Sequence, residues 1–225
     1  MQIVVLSGAG ISAESGISTF RDSGGLWENY KIEDVATPNA WQKDKALVLE
    51  FYNQRRRQVI HAKPNQAHLA ITKLQIKHQV DVITQNVDDL HERAGNASIL
   101  HLHGEIRKSR STKNNNLIYK IEGSELNLGD LCELGSQLRP HIVWFGEEVP
   151  MLERAAEIIS KCDVLIIVGT SLQVYPAANL WNYTPKKSRI ILIDPHSSIL
   201  NIPSRFDVLS EIASAGMQKV LNEYL

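Results

Sequence analysis

The sequence predicts an α/β fold: a mostly parallel sheet with helices on both faces and one small inserted subdomain. Two observations lead there. Short apolar runs alternate with longer helical patterns, and a single polar, basic stretch interrupts the alternation. At 225 residues the chain exceeds an average domain of about 150, which leaves room for one large domain carrying an insert.

The elements follow in order. Gln2–Leu6, Val80–Thr84, Ile99–His103, Asp163–Val168 and Arg189–Ile193 are rich in Val, Ile and Leu and are bounded by turn residues, the signature of strands buried on both faces. Between them, Lys45–Ile60, Asn65–His78, Met151–Lys161 and Glu211–Tyr224 carry helical patterns. Pro64 is placed as a first-turn proline of the second helix. Arg107–Gly135 breaks the rhythm, running from Arg-Lys-Ser-Arg-Ser-Thr-Lys-Asn-Asn-Asn into one short strand-like segment. It reads as the insert, either packed through Leu117, Ile118, Tyr119 and Ile121 or partly mobile.

Composition removes several function classes. The 24 basic and 25 acidic side chains sum to −1, so no global field favours nucleic acid or an anionic membrane. Ser7-Gly8 stops the first apolar run far short of a signal-peptide core, and no stretch approaches the roughly 20 apolar residues of a membrane span. A cytoplasmic setting is expected. Cys132 and Cys162 are the only cysteines, too few for a disulfide framework or a four-cysteine zinc site.

Three clusters carry chemistry. The first strand runs into Gly8-Ala9-Gly10-Ile11-Ser12-Ala13-Glu14-Ser15-Gly16. Glycines after a strand let backbone N–H groups approach a pyrophosphate at a helix N-terminus. Here the third glycine of the dinucleotide fingerprint is displaced to Gly16, so a merely structural turn stays open. At the end of another strand, Thr84-Gln85-Asn86-Val87-Asp88-Asp89 mounts amides and carboxylates on a rigid sheet. The plainer reading is a turn with Asp88 as helix N-cap. His101-Leu102-His103-Gly104 puts two histidines on one face of a strand, where they are metal ligands or ordinary packed residues.

Taken in order, Gly8–Gly16 with Thr19-Phe20-Arg21, Thr84–Asp88, His103-Gly104, Val143-Trp144-Phe145-Gly146-Glu147, Gly169-Thr170-Ser171 and Val174–Ala178 resemble the sirtuins, NAD-dependent protein-lysine deacylases. The likeness spans nearly the whole chain and implies one catalytic domain, 1–225, with a Rossmann-like sheet. It also implies a small insert at 107–135 and a helical insert at roughly 28–62 carrying the acyl pocket. Members of that family transfer the acyl group of a modified lysine to the ADP-ribose part of NAD and release nicotinamide.

The resemblance assigns roles residue by residue. His103 is the base acting on a ribose hydroxyl, a task suited to an imidazole; His101 lies outside the motif and receives no role. Asn86 and Gln85 meet the ribose, and Asp88 accepts from the nicotinamide carboxamide. Gly8, Ala9, Gly10 and Ser12 lie against the phosphates with Glu14 near by, and Thr19, Phe20, Arg21 and Trp27 belong to a covering loop. Gly169, Thr170 and Ser171 hold phosphates and the adenosine ribose, Asp194 replaces a common Asn at the last strand, and Ala213 completes the cofactor set. Val143, Phe145, Gly146 and Glu147 belong to the segment that pairs with an extended peptide.

Tyr52 and Arg55 share a helix face and match the pair that binds the distal carboxylate of succinyl, malonyl or glutaryl groups in some sirtuins; the plainer reading of Arg55-Arg56-Arg57 is a solvated basic face. Ile32 is expected to floor the pocket for small acyl groups. The family's zinc cysteines should fall near Ser111, Asn114 and Cys132, with Gly129 or Gly135 as the fourth, so no zinc is expected. An NAD glycohydrolase or ADP-ribosyltransferase using the same pocket, and a non-catalytic NAD or acyl-peptide binding module, remain as alternatives.

Overall fold

The computed structural model describes residues 1–18, 26–27, 30–200 and 202–224. In chain order the strands are β1 (Gln2–Ser7), β2 (Leu26–Trp27), β3 (Tyr30–Lys31), β4 (Gln79–Thr84), β5 (Ile99–His101), β6 (Gly104–Ser111), β7 (Ile118–Lys120), β8 (Leu138–Ile142), β9 (Val164–Val168), β10 (Arg189–Ile193) and β11 (Phe206–Leu209). The α-helices are α1 (Gly10–Ala13), α2 (Ile32–Val35), α3 (Pro38–Lys43), α4 (Lys45–His61), α5 (Gln66–Leu74), α6 (Leu90–Arg93), α7 (Leu152–Ile159) and α8 (Ala213–Tyr224).

A six-stranded parallel sheet ordered β11-β10-β9-β1-β4-β5 forms the main body. Its central strands alternate strictly between two apolar clusters. Ile3, Val5, Val164, Ile166, Val168, Ile191 and Ile193 face one cluster with residues of α5 and α8. Val4, Leu6, Leu165, Ile167, Ile190 and Leu192 face the other with α7. Side chains of a strand point alternately to opposite faces, so continuous apolar runs are what a sheet covered on both sides requires.

All five strands read from the sequence are present, two of them shortened; β9 begins one residue late, at Val164. β5 ends at His101, and His103 lies beyond it, in the bend before β6. The two histidines therefore do not share a strand face. Asn65 rather than Pro64 opens α5: its side chain accepts from Ala67 N and it forms a capping box with His68, leaving Pro64 one residue outside. The edge strand β11 escaped the sequence reading because its two middle residues, Asp207 and Val208, are exposed.

The insert is an antiparallel sheet, β7-β6-β8, extending from Gly104 to Ile142 and thus beyond the expected 107–135. Its apolar anchors are Ile121 and Leu126, buried against α4, whereas Ile118 is exposed. Polar contacts do the rest. Arg56 of α4 is fully buried and donates to the carbonyls of Ile106 and Ser124 and to Asn53 Oδ1, each at 2.7 Å. Asn53 in turn exchanges hydrogen bonds with both backbone groups of Leu126. The basic run of α4 is not a solvated face: Arg55 is also buried, and Arg57 alone reaches outward to Glu50 and Glu125.

Candidate functional site

The parallel register brings the strand ends into one row. Ser7 pairs with Thr84 and Val168, Thr84 with His101, and Val168 with Ile193. Gly8, Gln85, Gly169 and Asp194 each follow directly from that row, and His103 lies two residues past it. Ligands of open α/β sheets sit beyond these carboxyl ends, where strand order reverses. The reversal falls between β1 and β9.

The glycines there have a steric reason. A Cβ on Gly8 would lie 2.7 Å from Gly169 O, one on Gly10 would lie 2.7 Å from Gly169 Cα, and Gly169 itself has φ +66°. Two loops thus pass backbone against backbone. Their amides are committed as well, Gly8 N donating to Val168 O at 3.0 Å and Gly10 N to Gly169 O at 2.8 Å. These two N–H groups are therefore not available to a phosphate; what the glycines provide is close approach of the loops. Ser12 is buried beneath the turn, and Ala9 is exposed on it. Glu14 reaches across to the start of α8, accepting from Ser214 N at 2.9 Å and from its hydroxyl, next to the buried Ala213.

Behind β4, one hydrogen-bonded chain fixes the polar cluster. Asn86 Nδ2 donates to Ser12 Oγ at 3.1 Å, and Ser12 Oγ donates to Asp88 Oδ2 at 3.0 Å. Asn86 N donates to Thr84 Oγ1, and Gln85 Nε2 to Thr170 Oγ1. Asp88 is buried, which pushes its carboxyl up despite the hydrogen bonds from Leu90 N and Ser12. It is not the helix N-cap: Asp89 occupies that position, and Asp88 Oδ1 accepts from Leu90 N.

His103 is partly exposed, and its Nδ1 lies 3.0 Å from the Gln85 carbonyl. A carbonyl oxygen only accepts, so Nδ1 carries the proton and Nε2 presents its lone pair. Burial lowers the His103 pKa, only partly offset by the Gln85 carbonyl, and the ring is neutral at pH 7. Gly104 then turns the chain with φ +83°; a Cβ there would meet His141 O at 2.0 Å.

Along the segment from Val143 to Glu147, Val143 N donates to His103 O, Phe145 N to Ala36 O and Glu147 N to Trp144 O. Trp144 N donates to Glu147 Oε2 at 2.8 Å. These four amides are spent inside the fold. Phe145 and Gly146 border an open cleft with Glu33, Thr37, Pro38 and Asn39. Glu147 points inward instead, bound by Arg139 at 2.7 Å and Arg110 at 3.2 Å. Burial alone would raise its pKa, but Arg139 and Arg110 hold it below the usual carboxylate range.

Tyr52 and Arg55 are both buried on α4. Trp144 Nε1 donates to the Tyr52 hydroxyl at 3.0 Å, and the Arg139 guanidinium stacks 3.3 Å over the Trp144 ring. Burial raises the Tyr52 pKa strongly, so the phenol keeps its proton. Ile32 packs against the same cluster.

Thr170 and Asp194 are buried, and Ser171 is half-buried; Asp194 Oδ1 accepts from His196 N at 2.7 Å, fixing the turn after β10. Thr19, Phe20, Arg21 and the Trp27 side chain lie outside the described residues.

The donor set where the family would hold a metal is not that of a structural zinc site. Ser111 Oγ accepts from the amides of Lys113 and Asn114 and from the Cys132 thiol at 3.3 Å, and Cys132 lies 3.1 Å from Ser136 Oγ. One thiol and two hydroxyls bonded to one another replace four thiolates.

The sequence reading missed the buried Arg56 and Trp144 as a hydrogen-bond donor; His101, which it singled out without a role, is engaged at both ring nitrogens.

Comparisons with known proteins agree with this geometry. The Sir2 family model matches residues 8–176. An NAD-dependent protein deacylase of Helicobacter pylori strain J99 is 54% identical over 97% of this chain and 93% of its own length. One of Bacteroides thetaiotaomicron is 50% identical over 97% and 95%. Among solved structures, a Sir2 homologue mutant with ADP-ribose superposes with TM-score 0.89 at 40% identity, covering 99% of this chain and 91% of that one. A Sir2 homologue–NAD complex does so at 0.88 and 39%, covering 99% and 89%. With the strand-end row and these relatives in agreement, the chain belongs to the Sir2 family and is an enzyme of the NAD-dependent protein deacylase class.

Proposed function

We propose that this enzyme removes succinyl and malonyl groups, and acetyl groups as well, from lysine side chains of proteins, passing the acyl group to ADP-ribose and releasing nicotinamide. The observation that carries the acyl preference is the Trp144–Tyr52 hydrogen bond, which joins the buried Tyr52/Arg55 pair to the peptide-side segment. An indole N–H only donates, so the neutral Tyr52 hydroxyl receives that bond and keeps its own proton to give. A phenol O–H beside a guanidinium is suited to a carboxylate in a partly dry channel.

Bound NAD would supply an electrophilic ribose carbon with nicotinamide as leaving group. The residues at the strand ends fit it. Asn86, tied to Ser12 and Thr84, would offer a fixed amide to the ribose, with Gln85 alongside, and buried Asp88 would accept from the nicotinamide carboxamide. Gly8, Ala9, Gly10, Gly169, Thr170 and Ser171 would shape the floor for the phosphates, and Asp194 would hold the adenosine ribose. His103, with its Nε2 lone pair free, would serve as the base for a ribose hydroxyl. Val143, Phe145 and Gly146 guide the peptide, and Glu147 holds that segment through Arg110 and Arg139.

The insert is held without zinc, through Arg56, Asn53 and the Ser111–Cys132–Ser136 contacts. Among the described residues no helix is long and apolar enough to cross a membrane, and the near-neutral charge offers nothing to nucleic acid; the setting proposed is cytoplasmic. The Tyr52/Arg55 pair argues against a plain glycohydrolase or ADP-ribosyltransferase, because neither reaction needs a carboxylate pocket. Incubation with NAD and succinyl-, malonyl- and acetyl-lysine peptides, read by mass spectrometry, tests the reading. Equal amounts of deacylated peptide, nicotinamide and acyl-ADP-ribose are expected; nicotinamide released without any change in peptide would refute it.

A further inference from the structure

We propose that His101 is a positioning residue for this reaction: a doubly protonated imidazolium, wedged between the Glu92 carboxylate and the Asn86 carbonyl, that fixes the ribose-facing turn. Hydrogen-bond valence requires the charge. His101 Nδ1 lies 3.0 Å from Asn86 O, and Nε2 lies 2.7 Å from Glu92 Oε1. Both partners are acceptors, and a neutral imidazole has only one N–H. A neutral ring would set a lone pair against an oxygen at one of these contacts; the imidazolium satisfies both.

The surroundings supply the compensation a largely buried charge needs. Glu92 of α6 is bonded to the ring, and Glu105 at the start of β6 adds negative charge while itself paired to Lys108 at 2.7 Å. Asp88, in the turn before α6, and His91 of α6, kept neutral by burial, both feel the His101 charge. Burial opposes the charge on His101, yet the Glu92 bond and charge, with the Asn86 carbonyl and Glu105, raise its pKa above the ordinary histidine value.

The geometry gives this charge a task. Gln85 and Asn86 offer successive carbonyls, and each receives an imidazole N–H, from His103 and His101 respectively. One ring is neutral and keeps a free lone pair for chemistry; the other is charged and has none. Asn86 is thereby tied at its amide to Thr84, at its side chain to Ser12 and at its carbonyl to His101. On deprotonation the charged Glu92, the stronger acceptor, keeps the remaining Nε2 proton, so the Asn86 carbonyl loses its donor and the residue that meets the ribose loosens.

Two measurements on the intact protein test this. In histidine ¹⁵N-labelled enzyme, His101, assigned by its loss in His101→Gln, should show both ring nitrogens protonated at pH 7, and Glu92→Gln should move its titration to lower pH by at least about one unit. Nicotinamide release, followed against pH with saturating acyl peptide, should then lose its alkaline limb at correspondingly lower pH in Glu92→Gln, with the acid limb unchanged. His101→Phe should lower kcat/KM for NAD about tenfold, the worth of one charge-assisted hydrogen bond, with the melting transition confirming that it folds. A singly protonated His101 ring at pH 7, or an alkaline limb unmoved in Glu92→Gln, would overturn the proposal. The NMR arm is independent of which acyl group is removed.

Discussion

The His103 ring donates Nδ1–H to the Gln85 carbonyl at 3.0 Å, and this contact fixes which nitrogen can act as base. Because burial depresses the ring's pKa, the neutral form persists below the ordinary value near 6.5. The acid limb of kcat/KM for NAD should therefore inflect below about pH 6.5. His103→Ala should lower kcat by roughly 10²–10⁴ with the fold intact. An inflection above pH 7, or a loss under tenfold, would remove His103 from the role of base.

The Trp144–Tyr52 bond predicts a selectivity effect at a residue outside the acyl pair. Trp144→Phe keeps an aromatic ring under Arg139 but deletes the donor to the Tyr52 hydroxyl. Succinyl-peptide kcat/KM should fall about fivefold to tenfold, the worth of one buried hydrogen bond, and acetyl-peptide turnover should change much less. Matching losses on both substrates would mean that Trp144 serves only packing.

Arg56 fastens the insert to α4. Arg56→Met removes a buried guanidinium and leaves the Ile106 and Ser124 carbonyls without their donor, a change worth about 2–4 kcal/mol. Hydrogen exchange should rise first in the sheet between Gly104 and Ile142. Metal analysis of the unmodified protein should find no stoichiometric zinc, since Ser111, Cys132 and Ser136 bond to one another. An insert as protected as before, or one zinc per chain, contradicts this account of the subdomain.

Buried neutral histidines make stability depend on pH. Burial lowers His68 and His141 to about 4 and His91 well below its usual value. The unfolded chain binds their protons near pH 6.5 and the folded chain does not, so their contribution to stability is complete above about 6.5 and is lost as pH falls toward 4. His101 runs the other way, its contribution fading as pH rises through its raised folded pKa. Between pH 7 and 5, His68 alone should account for on the order of 2 kcal/mol, seen as a lower urea midpoint at pH 5 that His68→Gln partly restores. Identical midpoints at the two pH values would contradict the burial argument.

The sheet was legible because Val-, Ile- and Leu-rich runs have one good solution, a parallel sheet covered on both faces. The strand-end residues were legible through motif order. What escaped depends on polar groups satisfied at long range. Arg56 looks like a solvated arginine until the carbonyls of Ile106 and Ser124, some 50 and 68 residues away, are brought to it. β6 reads as polar because Arg110 and Ser111 are buried through hydrogen bonds rather than apolar contact. The Gly8 and Gly10 amides illustrate the converse: a motif points to the loop, but only the fold shows that its N–H groups are spent on the carbonyls of Val168 and Gly169.

The proposed carboxylate-reading acyl pocket of this Sir2-family deacylase stands or falls at Arg55. The ratio of kcat/KM for succinyl-lysine to that for acetyl-lysine peptide, with saturating NAD, should fall at least about tenfold in Arg55→Met, since a charge-assisted pair is lost for one substrate only. An unchanged ratio, with both activities reduced together, would contradict the claim.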